Sequence, residues 1–177
     1  MSNLILINQT IISSGATNVP VTNVFSSDYD IYQIQITGVF QNTNVANEIT
    51  GIRLINSSDS TITSGYRYAY LNMGSDAAFA QTKNTSGTEI LSGMRSDQLS
   101  DGASNYNFYI FNPFSSSSYT MLCGETASYD NVEEFTSTTG FGSYRQNTSI
   151  TGFVLFESSA DRQFGGGVIK TYGIRKD

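Results

Sequence analysis

Apolar residues recur at every second position along most of the chain, in short runs separated by turn-forming residues. In the segment Tyr29 to Thr37, Tyr32, Ile34 and Ile36 alternate with Gln33, Gln35 and Thr37. That is the pattern of a strand with one dry and one wet face. Tyr66, Tyr68 and Tyr70 share one face of a second alternating segment, 66–72. Residues 106–111 are aromatic or aliphatic at all but one position, which predicts a central strand packed on both faces. Further strands are expected around 4–12, 19–25, 48–55, 119–124, 149–157 and 167–174. No twelve-residue window carries a stripe of 3.6-residue period. Asp76 to Gln81 is the one stretch where a short helical turn is expected.

Turn signals punctuate these runs, among them Ser13-Ser14-Gly15, Gln41 to Asn44, Asn56 to Asp59, Ser100-Asp101-Gly102 and Ser115 to Ser118. Their spacing suits two packed sheets rather than alternating βαβ units. The expected fold is all-β, an antiparallel jelly-roll-like β-sandwich, in a single domain spanning 1–177. Greek-key connections would close about nine or ten strands around one core. The two prolines, Pro20 and Pro113, fall at strand borders. Gly165-Gly166-Gly167 reads as a bulge or tight turn before the last strand. The strands carry few charges to protect their edges, so the edges are expected to be covered by a partner copy. A homo-oligomer follows, with a trimer among the states this allows.

Composition narrows the function more than the fold. Charged residues make up 14% of the chain, against a usual share of about 25%. Ser, Thr, Asn, Gln and Gly take their place, and these favour turns, caps and strands over helices. The net charge of −6 and the lack of any basic run argue against nucleic acid as a partner. No apolar run approaches the roughly 18 residues of a membrane span, so no membrane partner is expected. Met1 to Asn8 reads as a strand rather than a signal peptide, which predicts synthesis and folding in a cytoplasm. Asn8-Gln9-Thr10, Asn84-Thr85-Ser86 and Asn147-Thr148-Ser149 match the glycosylation pattern, as chance allows in so Ser/Thr/Asn-rich a chain. The single cysteine, Cys123, rules out an intrachain disulfide framework and is expected as a small buried hydrophobe.

The chain has no histidine, which removes the commonest general base and the commonest metal ligand together. One cysteine cannot build a thiolate zinc site, and a Ser-His-Asp arrangement is impossible. Gly165-Gly166-Gly167 lacks the Lys-Ser/Thr and the helix of a phosphate loop. Paired carboxylates remain, at Asp28/Asp30, Glu125/Asp130 and Glu133/Glu134. Asp28 and Asp30 can cap a turn or share a calcium ion, and the spaced acidic loop that marks calcium sites is missing. Glu133 and Glu134 read as solvated loop neighbours. The expectation is a protein that is not an enzyme, with no catalytic residues, no metal and no cofactor. The aromatics are the richer signal. Tyr66, Tyr68, Tyr70 and Tyr106 either form an exposed row for a glycan or protein partner, or pack across the sandwich or a subunit interface.

Two segments carry a resemblance. Ser26 to Ile36 (SSDYDIYQIQI) resembles the opening strand of small structural proteins of tailed bacteriophages. Phe164 to Ile174 (FGGGVIKTYGI), preceded by Ile150 to Phe156, resembles the close of the same proteins. The resemblance implies a small jelly-roll module on the virion, made in the host cytoplasm, with a structural rather than enzymatic role. It also implies other virion proteins, of capsid or tail, as partners. The chain lacks a repetitive shaft, which favours a capsid decoration or head-fibre subunit. The alternative is a receptor- or carbohydrate-binding module of a tail fibre or spike, with a host glycan as ligand.

Overall fold

A computed structural model describes residues 3–42, 50–75, 79–94, 103–129, 135–159 and 161–175. They form twelve strands: β1 (Leu4–Ile11), β2 (Asn18–Val21), β3 (Ile31–Gln41), β4 (Thr50–Asn56), β5 (Tyr66–Gly74), β6 (Ala80–Gly87), β7 (Leu91–Met94), β8 (Ser104–Phe111), β9 (Thr120–Tyr129), β10 (Phe135–Tyr144), β11 (Ile150–Glu157) and β12 (Phe164–Ile174). One sheet has eight strands in the order β1-β12-β3-β8-β9-β10-β5-β6, and the other has four in the order β2-β11-β4-β7. The chain is an all-β sandwich of antiparallel sheets.

The strand order contains a jelly roll. β1, β12, β3 and β8 face β2, β11, β4 and β7, and the chain changes sheet at every step from β1 to β4. It changes sheet again from β7 to β8 and from β11 to β12. This interleaving is the double Greek key of a jelly roll. The four remaining strands are two excursions, β5–β6 between β4 and β7, and β9–β10 between β8 and β11. They zip together through β5 and β10, from Gly74 opposite Thr136 to Tyr66 opposite Tyr144, and extend the larger sheet beyond β8.

The core lies where the sequence alternation points. Tyr32, Ile34 and Ile36 from β3 and Tyr106, Phe108 and Ile110 from β8 meet Ile52 and Leu54 from β4 and Phe153 and Leu155 from β11. Each such side chain contributes about 1.5–3 kcal/mol on leaving water. Tyr32 hides its hydroxyl by donating to the Ser26 carbonyl at 2.9 Å and accepting from the Ser26 N–H at 2.7 Å. Its ring meets Phe25 edge-on at 4.7 Å.

The segments Ser26 to Ile36 and Phe164 to Ile174 are packing partners. β3 and β12 lie side by side with Ile31 opposite Ile174 and Tyr32 opposite Gly173. The Tyr29 ring lies flat on Gly173, where a Cβ would come within 2.6 Å of it. Gly165 makes similar room for the Phe40 ring, and Gly167 adopts a φ of 137° that side chains rarely tolerate. The pairing register slips on both sides of Gly166, so the glycine run is a bulge in the strand itself.

Several expectations need correction. β8 is central but packs on one face only: Tyr106, Phe108 and Ile110 are buried, while Asn107, Tyr109 and Phe111 are partly open to solvent. β6, β7 and β10 carry no strand expectation from the sequence. β10 turns Thr136, Thr138, Gly140 and Gly142 inward, so it shows no apolar alternation. β6 is a polar edge and β7 has only four residues. Of the expected helical turn, Asp76 to Ala78 lie outside the described residues, and Ala80 and Gln81 belong to β6.

Candidate functional site

The outward face of the eight-stranded sheet is the candidate site. Cross-strand register fixes which side chains share it. One row across the strands runs Tyr172, Gln33, Tyr109, Cys123, Phe141, Ala69 and Lys83. The next row runs Lys170, Gln35, Asn107, Glu125, Thr139, Leu71 and Gln81.

Two grooves lie on this face. The first, about 630 Å³, runs over β9, β10, β5 and β6 and is lined by Ala69, Leu71, Cys123, Thr139 and Phe141, with Gln81 and Lys83 at its rim. Large apolar side chains stand exposed in or near it: Phe141 at 64%, Met121 at 52% and, at the far end of the β9–β10 hairpin, Phe135 at 46%. Phe135 meets Tyr129 edge-on at 5.4 Å. The second groove, about 420 Å³, is polar and lies over β3, β8, β9 and β10, between Gln35, Asn105, Asn107, Glu125 and Ser137. Gln33 donates its amide N–H to the Asn107 carbonyl oxygen at 2.8 Å and so orients that side chain toward the groove's edge.

The inward face of the same extension is polar but closed. Thr138 donates to the Asn72 side-chain carbonyl at 2.6 Å, and Ser128 and Thr136 share a hydrogen bond of 2.8 Å. Gly142 lets the extension dock on the jelly roll, because a Cβ there would fall 1.6 Å from the Ile90 carbonyl oxygen.

The tyrosines singled out from the sequence do not share the outward face. Tyr66 and Tyr106 are buried, so they pack within the sandwich. The Tyr66 hydroxyl accepts from the Leu54 N–H at 2.9 Å and donates to the Ile62 carbonyl at 3.0 Å. Burial pushes its ionisation well above the usual tyrosine range. Tyr68 and Tyr70 are half-buried on the inward face and stack at 5.9 Å. Burial also raises the Tyr68 hydroxyl, and Asn84 donates to it at 3.4 Å. Cys123 is only half-buried and lines the apolar groove, because the alternation of β9 turns Leu122 inward and Cys123 outward. Phe141, Leu71 and Asn107, which build the grooves, carry no signal in the sequence because wet-face positions show no pattern until the strands are aligned; Glu125 stands out there only as half of the acid pair with Asp130.

Of the acid pairs, only Asp28/Asp30 lies wholly among the described residues. Ser26 donates its hydroxyl to Asp28 at 3.0 Å and accepts the Asp28 N–H at 3.2 Å, which closes a local turn. Asp30, on the same stretch, is exposed, and its carbonyl accepts the Asn112 N–H at 2.7 Å. Asp130, Glu133 and Glu134 lie outside the described residues. Among the described residues no three His, Cys, Asp or Glu side chains gather as a metal-binding group.

No family model matches the sequence, and no curated protein matches it. Among solved structures, one of those that align does so weakly. It is the CBM2 module of the evolved Dit of Lactobacillus casei BL23 phage J-1, at 9% identity and a TM-score of 0.28. The alignment covers 90% of this chain and 69% of that one. A likeness at this level supports no inference about shared function.

Proposed function

We propose that this chain is a non-enzymatic structural protein on the surface of a tailed-phage virion, a capsid decoration or head-fibre subunit that self-associates and docks on neighbouring virion proteins. The observation that carries this reading is the apolar outward face of the sheet extension. Phe141 lines a groove there, Met121 stands exposed on the same face, and Tyr129 and Phe135 form a second exposed pair at the far end of the β9–β10 hairpin. Large apolar side chains gathered on one exposed face mark an interaction site. The scarcity of charge around it keeps the desolvation cost of association low. The resemblance of Ser26 to Ile36 and Phe164 to Ile174 to phage structural proteins supports the virion as its setting.

The test is binding of the purified protein to particles that lack it. Saturable binding, lost on Phe141→Ser, is the expected result. Absence of binding to particles, together with binding to host cells, overturns it.

The polar groove favours a second reading, a receptor- or carbohydrate-binding module. Amide and carboxylate side chains at Gln35, Asn107 and Glu125 offer paired donors and acceptors to sugar hydroxyls, and Tyr109 lies one row away. Host-glycan binding that is lost on Asn107→Ala supports this reading. A screen of host surface glycans with no binder removes it.

A further inference from the structure

The two sheets present four edges, β1 and β6 on the larger sheet and β2 and β7 on the smaller. An edge strand offers a row of backbone hydrogen-bonding groups, which proteins blunt with proline, charge, shortness or a covering element. β2 has four residues and carries Pro20. β7 also has four and packs against β5 and β10. β6 is polar over its length and carries the exposed Lys83. β1 differs from all three. Its eight residues, LILINQTI, include five Leu or Ile and neither charge nor proline. Its one irregularity is a bulge at Ile7, and the strand returns to register with β12 from Asn8 to Ile11. Leu6 and Ile11 are 52% and 61% exposed.

We propose that β1 is the edge on which a second copy of this chain adds its own β1, antiparallel across a two-fold axis. The inference deepens the self-association proposed above by naming its surface. Only an extended strand satisfies a strand edge, because the groups to be met repeat along the backbone. A two-fold contact brings each patch against itself, so a strand must be compatible with its own copy. Each chain carries a net charge of −6, and most surfaces of two copies repel. β1 is uncharged and meets its copy without that penalty. Leu6 and Ile11 share one face of the sheet with their β12 neighbours Tyr172 and Val168, so the side chains flanking the edge on that face are apolar. Among the described residues no other edge combines this length with this composition.

Sedimentation over a roughly hundredfold concentration range, on the wild type and on Leu6→Lys, Ile11→Lys and the double variant, tests the proposal. Both positions are exposed, so the added charges are solvated in the monomer and the unfolding midpoint is expected to hold. The expected result is a wild-type monomer–dimer equilibrium whose dissociation constant rises at least about tenfold in the double variant. Phe141→Ser is expected to leave that equilibrium unchanged. Amide exchange on the wild type provides a readout independent of variant folding, with β1 amides slowing as concentration rises. A dimer that survives both lysines, or dissolves on Phe141→Ser, overturns the β1 interface while self-association stands. A wild-type trimer overturns the two-fold arrangement. A wild-type monomer that still binds particles overturns the β1 interface and leaves the virion reading intact. β1 amides protected only on particles assign the edge to a foreign strand and overturn the second copy as occupant.

Discussion

The outward faces of the two sheets treat their aromatic residues in opposite ways. On the small sheet, the Phe156 ring lies over Gly51, where a Cβ would come within 2.7 Å of it, and the Arg53 guanidinium sits 3.8 Å from the ring centroid. Ile55 and Val154 complete a small cluster, and Phe156 is 6% exposed. Arg53 also donates to the Thr88 carbonyl at 3.1 Å, so the cluster is sealed by a side chain that is itself anchored. On the large sheet, Phe141 stands at the same kind of outward position with Ala69 and Cys123 as its cross-strand neighbours, and nothing lies above it among the described residues. One face has been finished by its own chain. The other is left open among the described residues, and under the proposed function that contrast separates structural aromatics from those available for docking.

Phe156→Ala is expected to cost about 3–5 kcal/mol, through lost burial and an unfilled space over Gly51. Denaturant unfolding measures it, and a loss below about 1 kcal/mol would mean that the small-sheet cluster is as open as the large-sheet face. Gly142→Ala comes next. Its Cβ has no room beside the Ile90 carbonyl, and a clash with backbone puts the cost near the upper end of about 1–3 kcal/mol. The damage should concentrate in β5, β6, β9 and β10, seen as faster amide exchange there than in β3 and β12. Uniform loss across both would show that the extension and the jelly roll fold as one unit.

Tyr66→Phe leaves the Leu54 N–H and the Ile62 carbonyl without their shared partner, at a cost of about 1–3 kcal/mol. The same residue sets a pH dependence. Its folded-state ionisation lies above that of the unfolded chain, so its contribution is complete below the unfolded value of about 10. The contribution is then lost as pH rises from there toward the folded value. The thermal unfolding midpoint should fall above that pH in the wild type and fall less in Tyr66→Phe. The smallest effect on stability belongs to Phe141→Ser, within about 0.5 kcal/mol, alongside loss of particle binding. A large stability loss there would place Phe141 in the structural class with Phe156.

The alternation in Tyr29 to Thr37 was enough to place β3 and its inward tyrosine and isoleucines, because a half-buried strand writes its period directly into the sequence. β10 was invisible for the converse reason. Its inward positions are Thr136, Thr138, Gly140 and Gly142, chosen to sit under close neighbours rather than to be apolar. Tyr66 and Tyr70 show the limit of face assignment: period two puts them on one face, and only the sheet pairing shows that this face turns inward. The grooves were less legible still. Asn107, Glu125 and Thr139 become neighbours only once β8, β9 and β10 are in register.

By itself the sequence determined the fold class, the main core strands and the absence of histidine-based chemistry, since each depends on composition or on spacing along one segment. The tertiary structure alone decided that two excursions would zip β5 to β10 and widen one sheet of the jelly roll. It also decided which strands became sheet edges and which face received the exposed aromatics. Those are relations between segments far apart in the chain, set by cross-strand register and by which sheet each strand enters. No local pattern encodes them.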